Sequence, residues 1–250
     1  MKFQKFLAVA ALVAATSSSS FAGSTTQPPA PPVAEPDPVF TGEVSVGYDT
    51  FYIFRGEELW EQVVWGQVEI AFALSENVSL SLIPWYLSAT DDDYTELNLL
   101  PSLTVDAGFA EITAGYAGYI YPRGSFGYDE GIDDEHEASL GVAKTVGIFD
   151  FAVLAAYNFD REATYLESSV GTSFALGEAV SLDPSVALGY SADYYGVDGF
   201  THVLATLALP VQLTATAVLT PYVAANIPLE VLDENQDPEI FGGVSLAVSF

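Results

Sequence analysis

The sequence predicts an all-β fold, a transmembrane antiparallel up-and-down β-barrel of about 12 strands, and three observations predict it. From Thr41 onward, segments of roughly ten to fourteen residues alternate large apolar with small or polar residues, as strands with lipid on one side and a lumen on the other require. The positions assigned inward are rich in Gly, Ala and Ser, too small to fill a dry core at protein density. Short turns alternate along the chain with longer, acidic loops, matching barrels with short periplasmic turns and long outer loops. No uninterrupted apolar run reaches the ~20 residues that a transmembrane helix needs, so any spanning falls to strands.

The N-terminal stretch reads as a targeting signal. Lys2 and Lys5 are followed by an apolar stretch over 6–15 and a small-x-small site at Ser20-Phe21-Ala22, which assigns residues 1–22 to a signal peptide. Residues 23–40 are rich in proline and read as an extended periplasmic linker, leaving 41–250 for the transmembrane β-barrel. Loss of the signal takes two of the six basic residues and none of the 34 acidic ones. Nucleic acid is thereby excluded as a partner, since phosphate binding needs clustered Lys and Arg. The chain has no cysteine, which excludes disulfides and thiolate chemistry.

The elements follow in order. In the first segment, 42–55, Val44, Val46, Tyr48, Tyr52 and Phe54 share one face, with Glu43, Ser45, Gly47, Asp49 and Arg55 on the other. The second, 63–74, directs Val64, Val68, Ile70, Phe72 and Leu74 outward and Gln67 and Glu69 inward. The fourth sets Leu97, Leu99, Pro101, Leu103 and Val105 against Glu96, Asn98, Ser102 and Thr104. The last sets Ile240, Val244, Leu246, Val248 and Phe250 against Gly243, Ser245, Ala247 and Ser249. Short turns are expected near 75–77, 106–108, 147–148, 177–178 and 212, and long loops at 56–62, 89–95, 122–136, 160–164, 192–199 and 229–238. Trp60, Trp65, Tyr86, Tyr94, Tyr121, Tyr128, Tyr157, Tyr165, Tyr194 and Tyr195 gather at the loop-facing strand ends, where a membrane-interface belt would stand. Pro84, Pro101, Pro184, Pro210 and Pro221 lack a ladder donor and predict bulges or irregular strand ends.

Two stretches resemble known proteins. The closing Val248-Ser249-Phe250 resembles the terminal β-signal of Gram-negative outer-membrane proteins, which implies an outer-membrane location and a reading of Phe250 by the barrel-assembly machinery. That ending also places the last strand end in the periplasm and the long acidic loops outside. Tyr52-Ile53-Phe54-Arg55-Gly56, with Asp49 before it and Trp65-Gly66-Gln67 after it, is similar to the first hairpin of TorF-type putative porins. After Arg-Gly the family's polar Ser-Gln stretch is replaced by Glu57-Glu58-Leu59-Trp60. The likeness covers about a tenth of the chain and implies a porin-like barrel.

Inward-facing charge supplies the functional candidates. Asp49, Glu69, Glu96, Glu111, Glu137, Asp160, Glu167 and Asp183 are assigned to the pore lining, and Arg55 is the basic group on the same face. Confined carboxylates repel anions, so such a lumen passes small solutes with a preference for cations. Arg55 either pairs with Asp49 or Glu69 or meets the solute directly. The acidic loop runs Asp91-Asp92-Asp93, Asp133-Asp134-Glu135 and Asp233-Glu234 with Asp237 equally fit a solvated surface holding divalent cations against lipopolysaccharide, with lipid as the other partner of the wall. No cofactor, metal site or catalytic residue is assigned. Two alternatives to the channel are a non-conducting structural or adhesion barrel and a barrel hydrolase built on His136 or His202. The hydrolase would need a His–acid–nucleophile set at one rim that the sequence does not offer.

Overall fold

A computed structural model describes residues 40–122 and 134–250. The signal peptide 1–22, the linker up to residue 39, and most of the loop 122–136, with Tyr128 and Asp133, lie outside the described residues.

The described chain is strands and turns: β1 (Phe40–Phe54), β2 (Glu57–Ser75), β3 (Val78–Ala89), β4 (Thr95–Asp106), β5 (Glu111–Ile120), β6 (Glu135–Val146) and β7 (Phe149–Asn158). They continue as β8 (Ala163–Thr172), β9 (Phe174–Ala175), β10 (Ser181–Ala192), β11 (Gly199–Ala208), β12 (Val211–Gln212), β13 (Ala217–Pro228) and β14 (Glu239–Ser249). β9 and β12 are two-residue pieces in the turns before β10 and β13. The other twelve pair antiparallel in sequence order, and β14 returns to β1, so the sheet closes into a barrel with no free edge. The twelve-strand expectation holds.

The two faces follow the expected parity over most of the wall. Val44, Val46, Val64, Leu99, Leu140, Val153 and Val244 are exposed on the outer surface, whereas Ser45, Ser81, Ser102, Thr104 and Thr113 are buried inside. Large apolar groups outward and small polar groups inward invert the order of a soluble core and suit a wall in lipid. Inside, the lining changes along the axis. On β3 the inward series runs from Ser79 and Ser81 at the short-turn end to Ile83, Trp85 and Leu87 at the other.

That change answers to the first hairpin. β1 and β2 have 15 and 19 residues, against 10–12 in the other long strands and the ~9–11 that cross a bilayer. The segment 56–62, expected to be a long loop, is instead β2 itself, joined to β1 through the two-residue turn Arg55–Gly56. Both turn residues have positive φ, 54° and 90°, the geometry of a tight hairpin turn whose twist matches the strands. Lower down, Gln62 adopts a φ of 50° and the ladder skips the Thr50–Gln62 step, then shifts register at Tyr52/Ile53. Such bulges re-aim the side chains that follow. Tyr52 and Phe54, expected outward with Val44, Val46 and Tyr48, therefore turn inward, and the hairpin folds into the barrel.

Inside, the hairpin is packed on both faces. Tyr52 joins Val63, Trp65, Trp85, Leu87 and Tyr119 on the β2–β5 side, with Phe54 against them. Ile53 packs on Ala224 and Phe241 of β13 and β14, with Phe51 beside it. The loop-end aromatics divide accordingly. Tyr86 and Tyr157 face outward as a belt requires, but Trp65 and Tyr94 are buried inside in one cluster with Tyr52 of the inserted hairpin, and Tyr165 and Tyr194 are buried in a second cluster with Ala163.

The prolines also differ from expectation. Pro84 and Pro101 stay in register with Leu99 and Leu82, without a bulge. What each interrupts is the ladder on its other side: β2–β3 pairing breaks between Gln67 and Ile70, and β4–β5 pairing between Leu99 and Ser102. A residue without N–H costs one ladder bond, and the neighbouring strand absorbs it. Pro184 lies where β10 passes from β9 to β8, and Pro210 between β11 and β12.

Candidate functional site

The turn Arg55–Gly56 places one guanidinium in the middle of the lumen. Arg55 Nη2 lies 2.6 Å from Glu137 Oε1, and both side chains are almost fully buried. Glu137 belongs to β6, five long strands from β1 in one direction and seven in the other, so the tip reaches the far wall. The sequence reading offered Asp49 or Glu69 as the partner of Arg55. Neither is, because the bulge and the length of the hairpin carry Arg55 past its own strand neighbours.

Three rings surround the same guanidinium: Phe54, Tyr165 and Tyr194 have centroids 4.9, 4.6 and 4.6 Å from Cζ. An arginine among aromatic faces gains from the ring quadrupoles, more so when desolvated. The tip is tied further by Asn226 Nδ2, which donates to the Gly56 carbonyl at 2.8 Å, and by Tyr195 OH, which donates to the Arg55 carbonyl at 3.4 Å. Gly56 is required by space as well as by φ, since a Cβ there would press on the His202 ring. Arg55 Nε and Nη1, and Glu137 Oε2, have no hydrogen-bond partner among the described residues.

Above the tip, at the rim, a second cation repeats the pattern. Arg161 donates from Nε and Nη2 to both oxygens of Glu135, at 3.0 and 2.9 Å, and its Cζ is 4.8 Å from the Tyr194 ring. Burial works against its charge, but the Glu135 carboxylate outweighs that and raises the guanidinium pKa above its ordinary value. Tyr194 thus contacts both guanidinium groups, and the two carboxylates are Glu135 and Glu137, two apart on one face of β6.

The other predicted lining residues divide by depth. Glu96 accepts from Tyr52 OH at 3.1 Å, from Tyr94 OH at 2.5 Å and from Asn98 Nδ2 at 2.7 Å, beneath the hairpin. Burial first, and the Glu96 carboxylate next, raise the Tyr94 phenol pKa, which keeps it a donor. Asp49 accepts from Trp65 Nε1 at 2.8 Å and Tyr222 OH at 2.7 Å, tying β1 to β2 and β13. Glu167 accepts from Tyr165 OH at 2.8 Å. Nearer the short-turn end, Glu69 accepts from Ser81 and Asp183 from Ser173, while Glu111 opens β5 opposite Asp106. Asp160 stands apart: it is exposed in the turn between β7 and β8 and accepts the His136 backbone N–H. His136 Nδ1 lies 2.7 Å from Tyr116 OH on the outer side, and His202 Nδ1 is 3.0 Å from Thr201 Oγ1 inside.

Sequence reasoning overlooked Tyr165 and Tyr194 as partners of Arg55, and Asn226 as the partner of the Gly56 carbonyl. Tyr165 was within reach, since it shares the parity of Glu167 two residues on. Tyr194 lies in a loop, where no periodicity assigns a direction.

No family model matches the sequence, and no curated protein matches it. Among solved structures, the fold is similar to the COG4313 outer membrane channel from Pseudomonas putida F1, with a TM-score of 0.56 and 12% identity, covering 88% of this chain and all of that one. It is also similar to the KdgM porin, with a TM-score of 0.50 and 9% identity, covering 84% of this chain and 99% of that one. At such identities the likeness speaks to architecture, and it agrees with the ladder closure and the apolar outer surface: the chain has the closed-barrel fold of outer-membrane channels and porins.

Proposed function

We propose that the chain is an outer-membrane channel for small solutes that prefers cations. The observation carrying this reading is the lumen itself. Its wall contributes Asp49, Glu69, Glu96, Glu111, Glu137, Glu167 and Asp183, and below the rim Arg55 is the one Lys or Arg inside among the described residues. Carboxylates in a confined mouth with low-dielectric walls exclude anions. The similarity of the first hairpin to TorF-type putative porins points the same way, and the apolar outer face suits outer-membrane lipid. The test is conductance of the refolded full chain in planar bilayers across a KCl gradient. The reading expects channel events with a reversal potential on the potassium side. An anion-side potential would refute the carboxylate argument.

One observation favours a second reading, a non-conducting structural barrel: the hairpin tip lies across the lumen. The variant Arg55→Ala separates the two. A folded barrel silent both as wild type and as Arg55→Ala would decide for the structural reading.

A further inference from the structure

The residues around Arg55 form a cation seat, and almost all of it belongs to the wall. Glu137 comes from β6, Tyr165 from β8 and Tyr194 from the β10–β11 loop; only Arg55 and Phe54 arrive with the hairpin. The two tyrosines and the backbone of Glu137 are held without the hairpin's help, while the Glu137 carboxylate itself is paired with Arg55. Tyr165 donates to Glu167, the Tyr165 and Tyr194 rings meet edge to face at 5.9 Å, and Glu137 is laddered between β5 and β7. A carboxylate with two tyrosine faces at cation distance is the chemistry that selects guanidinium and alkylammonium groups.

Arg55 uses this seat incompletely. It makes a single contact to Glu137 and leaves Nε and Nη1 unpaired, with Glu137 Oε2 also free of partners among the described residues. A small guanidinium unconstrained by a hairpin turn has the fork geometry to engage both carboxylate oxygens. The Glu135–Arg161 pair shows such a two-point contact beside the same Tyr194 ring, nearer the rim.

We propose that the Glu137–Tyr165–Tyr194 cluster is a binding seat for organic cations bearing a guanidinium or alkylammonium group, and that Arg55 fills it as a tethered stand-in which the solute displaces. The inference rests on the channel reading and adds to it the class of solute and the place where that solute binds. The base of the hairpin stays docked. Tyr52 and Ile53, each only 2% exposed, anchor it by apolar burial on opposite sides. The tip itself is held to the wall by one ion pair, two hydrogen bonds and the contacts of the guanidinium with the Tyr165 and Tyr194 rings, all of which a small guanidinium can replace except the two hydrogen bonds. Exchange therefore moves Arg55–Gly56 and leaves the rest.

Methylguanidinium binding to the folded full chain in detergent, followed by titration calorimetry, tests this without reference to conductance. A docked tip lowers the apparent affinity by the fraction of empty seats, so a tip docked about nine-tenths of the time weakens binding about tenfold. Arg55→Ala is expected to bind methylguanidinium about tenfold tighter than wild type, and Arg55→Ala with Glu137→Gln to lose the gain. Urea, the neutral isostere, is expected to bind neither protein. Should Arg55→Ala fail to fold, Tyr194→Leu, in a loop, serves instead and is expected to weaken methylguanidinium binding relative to wild type. Equal affinity in wild type and Arg55→Ala, or unchanged affinity on removing Glu137 or Tyr194, overturns the proposal. Conductance without methylguanidinium binding overturns the seat and spares the channel. Binding without conductance upholds the seat and sinks the channel.

Discussion

Arg55 and Glu137 form an ion pair 82 residues apart in sequence and almost sealed from solvent. Two desolvated charges hold each other at a cost, so such a pair contributes little net stability, yet losing one member strands the other. Glu137→Gln, which leaves the arginine among three rings without its carboxylate, is expected to destabilise the barrel by ~3–5 kcal/mol. Arg55→Met combined with Glu137→Leu is expected to return within about 1 kcal/mol of wild type, since neither charge remains to be stranded. Urea midpoints of the barrel folded into vesicles measure both. A double variant as unstable as Glu137→Gln alone would show that the site depends on its charges and not on their balance. At this scale the sequence was half legible. Parity singled out both Arg55 and Glu137 as inward and charged. It gave no means of pairing them, because the pairing depends on a hairpin that leaves its own wall.

That departure belongs to the first hairpin as an element. The alternation in 42–49 and 63–74 is legible in the sequence, whereas the stretch 56–62 is as acidic as the outer loops and hides a strand. Phe54 and Glu57 pair across Arg55–Gly56, and the ladder runs on to Phe51–Glu61 with Leu59 as an extra residue on β2. Parity then failed at Tyr52 and Phe54 for a local reason. Gln62, opposite Thr50 in an unchanged register, adopts a φ of 50° and interrupts the ladder where the hairpin leaves the wall, and it carries no mark in sequence that foretells it. Gln62→Val, whose β-branched side chain resists a positive φ, is expected to disturb that break, loosen the tip and leave the ladder from Val63 onward intact. Trypsin offers the readout, because its cleavage site after Arg55 is buried in the wild type. The variant should be cut there at least ~10-fold faster, as a docking loss of about 1.4 kcal/mol implies, with fragments identified by mass. Continued protection at Arg55 would mean that docking of the tip does not depend on the backbone at Gln62.

Over the whole molecule, closure and the inside-out distribution of side chains were the most legible properties, because each depends on repetition through twelve strands and survives local errors. Phe250 illustrates how the ends meet. Its backbone exchanges bonds with Gly42 at 3.0 and 2.9 Å, and its ring covers Gly42, which has no room for a Cβ. Thus the last residue of the chain closes the seam between β1 and β14, and Gly42→Val is expected to loosen it by ~1–3 kcal/mol, seen as a lower heat-modifiability transition on gels. The outer surface permits a sharper argument about the medium around it. Val153, in the middle of β7, is 52% exposed, and Ile240, at the outer end of β14, is 74% exposed. In water, replacing either by arginine changes stability by no more than about 0.5 kcal/mol, since neither makes a contact worth more. In a bilayer, arginine costs ~2–4 kcal/mol at the midplane and ~0–1 kcal/mol near the interface. Val153→Arg is therefore expected to lower the unfolding free energy measured from vesicles by ~2–4 kcal/mol, and Ile240→Arg by less than about 1 kcal/mol. It is the difference between two exposed sites, one mid-strand and one at a strand end, that carries the inference. Equal small costs at both would place the surface in water, and equal large costs would place Ile240 as deep as Val153, against its position at the long-loop end of β14.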